Sequence, residues 1–408
     1  MVAKSPALRS FQHRNFRILY PANALSNIGT WAQRVAQDWL VLQLTHNDPT
    51  NLGLVTAIQF LPSMLLSTYG GLLADRFSKR KLLFITNLGA GLASLSLGLL
   101  VIANLVQLWH VYALALLVGI FSAIDSPIRI SFTSELVGKD DLANAVSLNS
   151  ANFNAGRLIG PALSGYLIAS FGTGPSFVLN TLTYGVMVIT LLFIRDQDLH
   201  ITTKPKRENK LAEAFKYVWS RKDLVLVMTV VFFTTTFGLN FQIFIALMST
   251  REFGLGPREF GTLGTVLAVG SLSGALIAAR LEKHRTVRNI LRGAFLFGVL
   301  ICLTAYLPDV WLYGASLPFL GATVLLTLIS ANTYVQSNTE AGLRGRVMGI
   351  YLMIFMGGTP LGSPLVGYVA SLVGIRATIL ICGLIVAIAA LIIRQLYINF
   401  RSDEKSAQ

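Results

Sequence analysis

Charged residues are absent from long stretches of this chain. Residues 82–105 and 377–393 contain none, and both stretches are rich in leucine, isoleucine and alanine. A helix needs about 20 apolar residues to cross a hydrocarbon core of roughly 30 Å. Runs of this kind alternate with short polar segments, which predicts an all-α membrane protein of about twelve transmembrane helices. The predicted helices cover residues 18–44, 52–74, 82–104, 108–131, 142–171, 175–194, 223–248, 258–280, 287–307, 311–334, 344–373 and 376–397.

Lysine and arginine are divided unequally between the two sides that this pattern defines. With the N-terminus placed in the cytoplasm, 28 of the 33 basic residues fall in cytoplasmic segments and 3 fall in outer loops. Cytoplasmic loops of membrane proteins are enriched in basic residues. We therefore expect a multi-pass protein of the bacterial inner membrane, with both termini in the cytoplasm.

Composition agrees with this topology. The chain is 53% hydrophobic and 13% charged, whereas soluble domains are about 25% charged. The net charge of +14 is carried between the apolar runs, so it indicates membrane orientation and not nucleic acid binding. The first apolar stretch contains Arg34 and Asp38 and is too polar for a signal peptide, so none is expected. Cys302 and Cys382 lie in separate runs without the spacing of a metal site, and no metal or cofactor is expected.

The two halves of the chain resemble each other. Gly165 and Gly172 recur 202 residues later as Gly367 and Gly374, within similar surroundings. Each repeat contains six predicted helices, an even number, so both copies enter the membrane in the same orientation. The sequence therefore predicts two pseudo-symmetric six-helix bundles, with a substrate site expected between them near the membrane midplane.

A long polar segment separates the repeats. Residues 195–222 predict a cytoplasmic linker between an N-terminal bundle, residues 1–194, and a C-terminal bundle, residues 223–408. Part of the linker can form an amphipathic helix on the inner leaflet, and a plain solvated linker fits equally well. The apolar face of that helix would contain Leu211, Phe215 and Val218.

The loop after the second predicted helix contains a recognisable motif. It runs from Gly71 through Asp75 and Arg76 to Lys79, Arg80 and Lys81. This pattern resembles the loop signature of the major facilitator superfamily, although Ser78 stands where glycine is usual. The resemblance extends over essentially the whole chain and implies the two-bundle fold of that superfamily.

Two further stretches narrow the resemblance to an exporter branch. Asp125 and Arg129, followed by Asp141 and Asn144, are similar to the branch that contains enterobactin exporters and macrolide efflux proteins. The fifth helix is similar to the glycine–proline motif of antiporters. Glycines let helices approach closely and a proline bends its helix; for any single glycine, simple close packing is the alternative. The candidate flexure residues are Gly156, Gly160, Pro161 and Gly165.

The resemblance also implies a gating network at the inner side. Asp75 is expected to meet the start of the eleventh helix, and Arg76, Lys79 or Arg80 is expected to reach Asp125. The candidate members are Gly71, Asp75, Arg76, Lys79, Arg80, Asp125 and Arg129.

Ionisable side chains within a bilayer are costly and are usually functional. Arg34 and Asp38 are four residues apart in the first predicted helix, so they share a face and can pair. Asp125 and Arg129 have the same spacing in the fourth. Arg157 lies deep in the fifth helix and needs a partner. We expect Arg34, Asp38 and Arg157 to form a cluster in which Asp38 exchanges protons; a static ion network is the alternative.

Polar residues at helical spacing mark one face of the first predicted helix. Helices one, four, seven and ten line the central cavity in the superfamily that the chain resembles, and the seventh and tenth also carry amides. Amide and aromatic groups together would suit an amphiphilic substrate. The candidate cavity residues are Asn23, Asn27, Thr30, Asn240, Asn332 and Gln336.

These features predict a secondary active transporter and not an enzyme. The preferred hypothesis is a monomer that exports a small amphiphilic molecule, of drug or siderophore type, by alternating access coupled to protons. An importer, or a lysophospholipid-type lipid transporter of the same fold, is the alternative within transport. From other classes, a membrane enzyme would need a catalytic cluster that the sequence lacks, and a receptor without transport would not need the polar stripe. The sequence does not identify the substrate.

Overall fold

The computed structural model describes residues 6–200, 211–281, 285–340 and 342–406, and all regular structure within these ranges is helical. The α-helices are numbered in chain order. They are α1 (Arg14–Leu44), α2 (Pro49–Arg76), α3 (Lys79–Ile102), α4 (Leu108–Val137), α5 (Leu142–Phe171), α6 (Gly174–Leu192), α7 (Leu211–Ser220), α8 (Lys222–Phe233), α9 (Phe241–Leu247), α10 (Pro257–Arg280), α11 (Val287–Thr304), α12 (Val310–Ser337), α13 (Arg344–Val373) and α14 (Ile375–Ser406).

Each predicted membrane helix corresponds to a helical segment of the structure, and α5 and α13 have the predicted bounds. The prediction of a single seventh helix is wrong in detail, because the structure divides this segment into α8 and α9. A π-helical turn at Thr234–Gly238 separates them, and a second one follows at Met248–Glu252. A π turn interrupts the regular helical repeat, so side chains before and after it do not share one helical face.

Nine of the described helical segments are long and apolar enough to cross a membrane. A tenth qualifies if the two parts of α2, Pro49–Leu66 and Tyr69–Arg76, which are bent by 51°, form one span. Helices α1 and α5 fall outside this set, since they carry amides and charges along their length. Among the described elements they pack most extensively against each other, which buries part of their polar surface within protein.

The helices form two packing units. Each unit contains one short segment from the opposite half of the chain: the first turns of α10 belong to the first unit, and the first turns of α2 belong to the second. The first unit is Met1–Asn47, Ile58–Lys206 and Gly256–Thr265, and the second unit is Asp48–Ala57, Arg207–Leu255 and Val266–Gln408.

Glycines allow these exchanged segments to pack closely. In the first unit, a Cβ atom added to Gly165 would lie 2.7 Å from the carbonyl oxygen of Pro257 and 3.1 Å from Cα of Gly261. In the second unit, one added to Gly367 would lie 3.2 Å from Cα of Gly53. Helix backbones approach this closely only where side chains are small. We call these two contacts, between α5 and α10 and between α13 and α2, the glycine seams.

The repeat in the sequence has a counterpart in the ends of α5 and α13. Gly172 follows α5 with a φ of 80°, and Gly374 follows α13 with a φ of 81°. Positive φ is available to glycine at little cost, so glycine commonly ends a helix in this way. Both members of this pair therefore have the same backbone role, at the predicted offset of 202 residues.

The N-terminal segment is fastened to the start of α5. Asp141 forms a salt bridge with Arg9 at 2.9 Å, and its Oδ2 lies 2.5 Å from Nε2 of Gln12 and 2.9 Å from Nε2 of His13. The hydrogen bond with His13 holds the pKa of Asp141 below its ordinary value, because donors to a carboxylate favour its charged form. The first turn before α1 is thus tied to the first unit.

The predicted linker is described only in part, since its residues 201–210 lie outside the described ranges. The predicted helix is present as α7, and whether its apolar face rests on the inner leaflet stays a prediction. Ala214 and Val218 are buried, whereas Phe215 is 43% exposed and Trp219 is 80% exposed. Within the second unit, the hydroxyl of Tyr217 accepts a hydrogen bond from Arg221.

Candidate functional site

A cavity of about 520 Å³ lies within the first unit, among α1, α3, α4, α5 and α6. Ligand pockets have volumes of about 300–1,000 Å³. Most of its lining residues carry an amide or hydroxyl group, and their carbon atoms together with a few aromatic side chains supply most of the exposed lining surface. The lining residues that carry polar, aromatic or charged groups are Asn23, Ser26, Asn27, Thr30, Arg34, Thr86, Asn87, Phe121, Ser122, Asp125, Ser126, Arg129, Thr133, Asn149, Ser150, Phe153 and Tyr184.

Helix α1 contributes the longest polar face to this cavity. Asn23, Asn27, Thr30 and Arg34 follow each other at intervals of three or four residues, so they lie along one face. All four line the cavity. The sequence therefore found the α1 part of the wall, and the role of Asn23, Asn27 and Thr30 in binding a substrate stays a prediction.

Asp125 and Arg129 form a closed network in the wall. Nε of Arg129 donates to Oδ2 of Asp125 at 2.7 Å, while Oδ1 accepts from Thr86 at 2.9 Å and from Asn87 at 2.8 Å. Arg129 also donates to Asn23 and Asn87. Each oxygen of the carboxylate has a donor, and each nitrogen of the guanidinium has an acceptor. The pair is therefore neutral as a unit and held in one geometry.

Lys79 and Arg80 do not make the predicted contact with Asp125. Lys79 pairs instead with Glu135 at 2.6 Å, and Arg80 pairs with Asp196 at 2.9 Å. Arg80 also donates to the carbonyl oxygens of Leu191 and Leu192, so it caps the end of α6. Both carboxylate oxygens of Asp125 already accept hydrogen bonds from Thr86, Asn87 and Arg129.

Three other members of the predicted gating network lie in the last turns of α2. Asp75 and Arg76 are exposed at the end of α2. A Cβ atom at Gly71 would meet no described atom within 4 Å, so local packing does not require glycine there. The expected contact of Asp75 with the eleventh predicted helix stays a prediction.

Arg34 and Arg157 meet at the ring of Trp31. The guanidinium carbon of Arg34 lies 4.6 Å from the ring centroid of Trp31 and 5.1 Å from that of Phe60, and that of Arg157 lies 5.8 Å from Trp31. Cations are attracted to aromatic faces at such distances. The two arginines of the predicted cluster are therefore neighbours, and Trp31, which the sequence analysis missed, is the group that joins them.

Asp38 does not form the expected pair with Arg34. Its side chain is only 3% exposed, yet no hydrogen-bond donor among the described residues reaches its Oδ2, and Nε of Arg34 also lacks an acceptor there. Stacking on Trp31 and Phe60 turns the guanidinium of Arg34 toward the rings. Asp38 is one helical turn from Arg34 on α1, without a direct bond.

The candidates from the C-terminal half are not among the residues that line this cavity. Asn240 is buried between the first π turn and α9, where it donates to the carbonyl of Thr236 and accepts from Ser363. Asn332 is half-buried and Gln336 is exposed on α12. The structure places all three in the second unit.

The candidate flexure residues of α5 are sites of close packing. A Cβ atom at Gly156 would lie 2.8 Å from backbone and side-chain atoms of Asn27, and one at Gly160 would lie 2.5 Å from Cβ of Trp31. Gly165 forms a glycine seam, and Pro161 lies inside the uninterrupted helix. Packing explains the three glycines, and flexure of α5 stays a prediction.

Several residues of the site gave only weak signals in the sequence. Thr86 and Asn87 are adjacent polar residues inside the uncharged stretch 82–105, and that contrast could have marked them. Asn149 on α5 and Tyr184 on α6 gave no comparable signal, because both belong to helices that carry many polar groups. Among the described residues, no group of three or more histidine, cysteine, aspartate or glutamate side chains could hold a metal ion.

Comparison with solved structures supports the fold. A bacterial homolog of the human lysosomal transporter Spinster, in an inward-facing and unoccupied conformation, matches with a TM-score of 0.76 at 15% identity, over 96% of this chain and 97% of that one. The nucleoside transporter NupG matches with a TM-score of 0.74 at 14% identity, over 94% and 99%. At these identities the likeness concerns the fold alone.

Comparison with characterised proteins finds transporters over most of the chain. The staphyloferrin A transporter of Staphylococcus aureus is 25% identical over 90% of this chain and 92% of its own. The multidrug efflux pump Tap of Mycolicibacterium fortuitum is 27% identical over 85% and 87%. The enterobactin exporter EntS of Citrobacter koseri is 22% identical over 87% and 85%. These similarities confirm the predicted exporter branch.

The family model described as transmembrane secretion effector matches residues 5–408, nearly the whole chain. Its relatives are transporters of the major facilitator superfamily, and the helical content and apolar spans agree with an all-α membrane transporter. The chain therefore belongs to the transmembrane secretion effector family of the major facilitator superfamily.

Proposed function

We propose that this protein exports a small amphiphilic molecule by alternating access and uses the movement of protons to drive it. The observation that carries the proposal is the position of an unpaired, buried carboxyl, Asp38, on the same helix that forms the polar face of the cavity. Relatives named for drug efflux and siderophore export support the direction.

Asp38 has the properties that a proton-coupling group needs. Burying a charged carboxylate without a donor costs far more free energy than burying the neutral acid. Proton uptake by Asp38 therefore removes much of the free-energy cost of its burial. Arg34, one turn away, opposes this by favouring the charged form. A group balanced in this way changes its protonation when a bound molecule or a helix movement alters its surroundings.

In the proposed cycle, Arg34 links the protonation of Asp38 to closure of the outer side. Protons arriving from outside neutralise Asp38 and release its electrostatic hold on Arg34, which favours closure of the outer side. Substrate that enters from the cytoplasm then favours loss of the proton to the cytoplasm. The protein acts as a monomer in the inner membrane in this proposal, with protons as the coupling ion.

Reconstitution into vesicles tests the proposal directly. We expect protein in vesicles whose interior corresponds to the outside of the cell to concentrate radiolabelled chloramphenicol, an uncharged amphiphile, when the interior is acidic. Collapse of the pH gradient should return the label to equilibrium. Accumulation only under the opposite gradient would identify an importer, and transfer of a labelled lysophospholipid in its place would identify a lipid transporter.

Orientation is tested by reporter fusions. Because 28 of 33 basic residues fall on one side, we expect a reporter that is active only outside the cytoplasm to work after Asn47, in the loop between α1 and α2. The same reporter inserted within residues 201–210 should be silent. The reverse pattern would overturn the assignment of both termini to the cytoplasm.

A further inference from the structure

We propose that the cavity selects an uncharged, hydrogen-bonding amphiphile, with hydroxyl or amide groups beside an apolar body, and rejects organic cations. This inference rests on the proposed function and names its class of substrate. Three observations carry it: the carboxylate of Asp125, whose oxygens already have donors, the guanidinium of Arg34, which has no salt bridge, and the unpartnered amide oxygen of Asn149.

Cations lack an acceptor of opposite charge in the described wall. Asp125 is the only carboxylate among the lining residues, and its two oxygens already accept from Thr86, Asn87 and Arg129 at 2.7–2.9 Å. A cation could engage Asp125 only by displacing Arg129, which would leave a guanidinium without its counter-ion. Such an exchange of partners is unfavourable where both side chains are largely buried, as they are here at 23% and 15% exposure.

Arg34 adds a positive potential that repels cations further. Its guanidinium is held on Trp31 and Phe60 by ring contacts, and no carboxylate of the described chain forms a salt bridge with it. Arg157, on the other side of Trp31, brings a second positive charge to this end. With Asp125 and Arg129 neutral as a pair, the net charge of the lining residues is that of Arg34.

An anion would be attracted to Arg34, but its binding would favour proton uptake by Asp38, whereas export requires substrate binding to favour proton release. An anion bound at Arg34 would remove part of the positive charge that stabilises ionised Asp38, so anion binding and protonation of Asp38 would favour each other. Export driven by inward proton movement requires the opposite relation, in which substrate binding favours proton release. An uncharged substrate has no such conflict, since it affects Asp38 only through helix movement.

The remaining wall is suited to uncharged polar groups. Oδ1 of Asn149 is buried and accepts no hydrogen bond from the described residues, while its amide nitrogen donates to Thr133 at 3.1 Å. Rotation of the side chain toward the cavity would let a hydroxyl or amide N–H of the substrate satisfy that oxygen, whose burial without a donor otherwise costs free energy. Phe121 and Phe153, in the same wall, offer apolar surface for the rest of the molecule.

Equilibrium dialysis of the purified full-length protein in an uncharged detergent tests the selectivity. The probes are chloramphenicol, the lipophilic cation tetraphenylphosphonium and its size-matched anion tetraphenylborate. We expect saturable binding of chloramphenicol alone by the wild-type protein. Asn149→Leu should weaken it by about threefold to tenfold, the effect of losing one neutral hydrogen bond.

Adding a charge to the wall should reverse the selectivity. Asn149→Asp keeps the side-chain shape and supplies an uncompensated carboxylate, so this variant should bind tetraphenylphosphonium, whereas the matched change Asn338→Asp, at the exposed residue that follows α12, should not. Ser126→Asp, also in the wall, serves if Asn149→Asp does not fold.

Wild-type binding of either organic ion as tightly as chloramphenicol, or unchanged binding in Asn149→Leu, would overturn the inference. Export of tetraphenylphosphonium by wild-type vesicles would refute this selectivity and leave proton-driven export standing.

Discussion

Replacing Asp38 with asparagine is expected to abolish export driven by a pH gradient and to leave substrate-for-substrate exchange partly working. Asparagine has nearly the same shape as aspartic acid but takes up no proton near neutral pH. In the proposed cycle, exchange requires only that the loaded protein change conformation, whereas net export requires proton release. Accumulation against a gradient should therefore disappear while counterflow of labelled substrate persists.

The measurement compares both activities in the same vesicles. Asp309→Asn is the matched control, because Asp309 caps α12 through the backbone N–H groups of Trp311 and Leu312 and asparagine caps helices about as well. That variant should retain both activities. If Asp38→Asn still concentrates substrate, coupling does not pass through Asp38, and Asp125 becomes the next residue to test.

Removing one partner of the Asp125–Arg129 pair should cause the largest loss of stability. Asp125→Leu leaves Arg129 without a counter-ion in a partly buried wall, where the side chains of Arg129 and Asp125 are only 23% and 15% exposed. Breaking a buried pair in this way costs about 3 kcal/mol or more. The unfolding midpoint of the purified variant should fall clearly below that of the wild type.

The double variant Asp125→Leu with Arg129→Met distinguishes charge from packing. Replacement of both partners by apolar residues is often neutral or stabilising, so most of the lost stability should return. Asp196→Asn serves as a control at an exposed ion pair, since Asp196 is 72% exposed, and such pairs contribute about 0–1 kcal/mol. A double variant no more stable than Asp125→Leu would contradict the role assigned to the charge pair.

Most of the helices could be predicted because a membrane span leaves a simple record in the sequence. About twenty apolar residues in a row admit few alternatives, and the ends of α5 and α13 are marked by Gly172 and Gly374. The break after α8 was not predictable in the same way. Its three threonines, residues 234–236, can bond to the backbone of their own helix, as Thr235 does to Val231, and composition does not reveal a π turn.

The candidate site shows where spacing stops being sufficient. Arg34 and Asp38 have the same four-residue spacing as Asp125 and Arg129, yet only the second pair forms a salt bridge, at 2.7 Å. The difference is the aromatic surroundings of Arg34, which come from Trp31 on the same helix and Phe60 on α2. Spacing along one helix does not show a contact with another helix. The predicted pair of Arg34 with Asp38 is therefore absent, because the rings of Trp31 and Phe60 compete for the guanidinium.

The same limit explains the wrong partners of Lys79 and Arg80. The sequence shows that both need acidic groups, but Glu135 and Asp196 are 56 and 116 residues away from them along the chain. The choice among distant carboxylates depends on which helix ends lie side by side. That information arises only from tertiary packing.

The glycine seams have a consequence for how this chain can be divided. A cut in the linker places Gly165 on one fragment and Pro257 and Gly261 on the other, and it separates Gly367 from Gly53 in the same manner. Each fragment then lacks one helix segment of its packing unit: residues 256–265 for the first unit and residues 48–57 for the second. Each half of the chain would therefore complete its packing only when the segment supplied by the other half is also present.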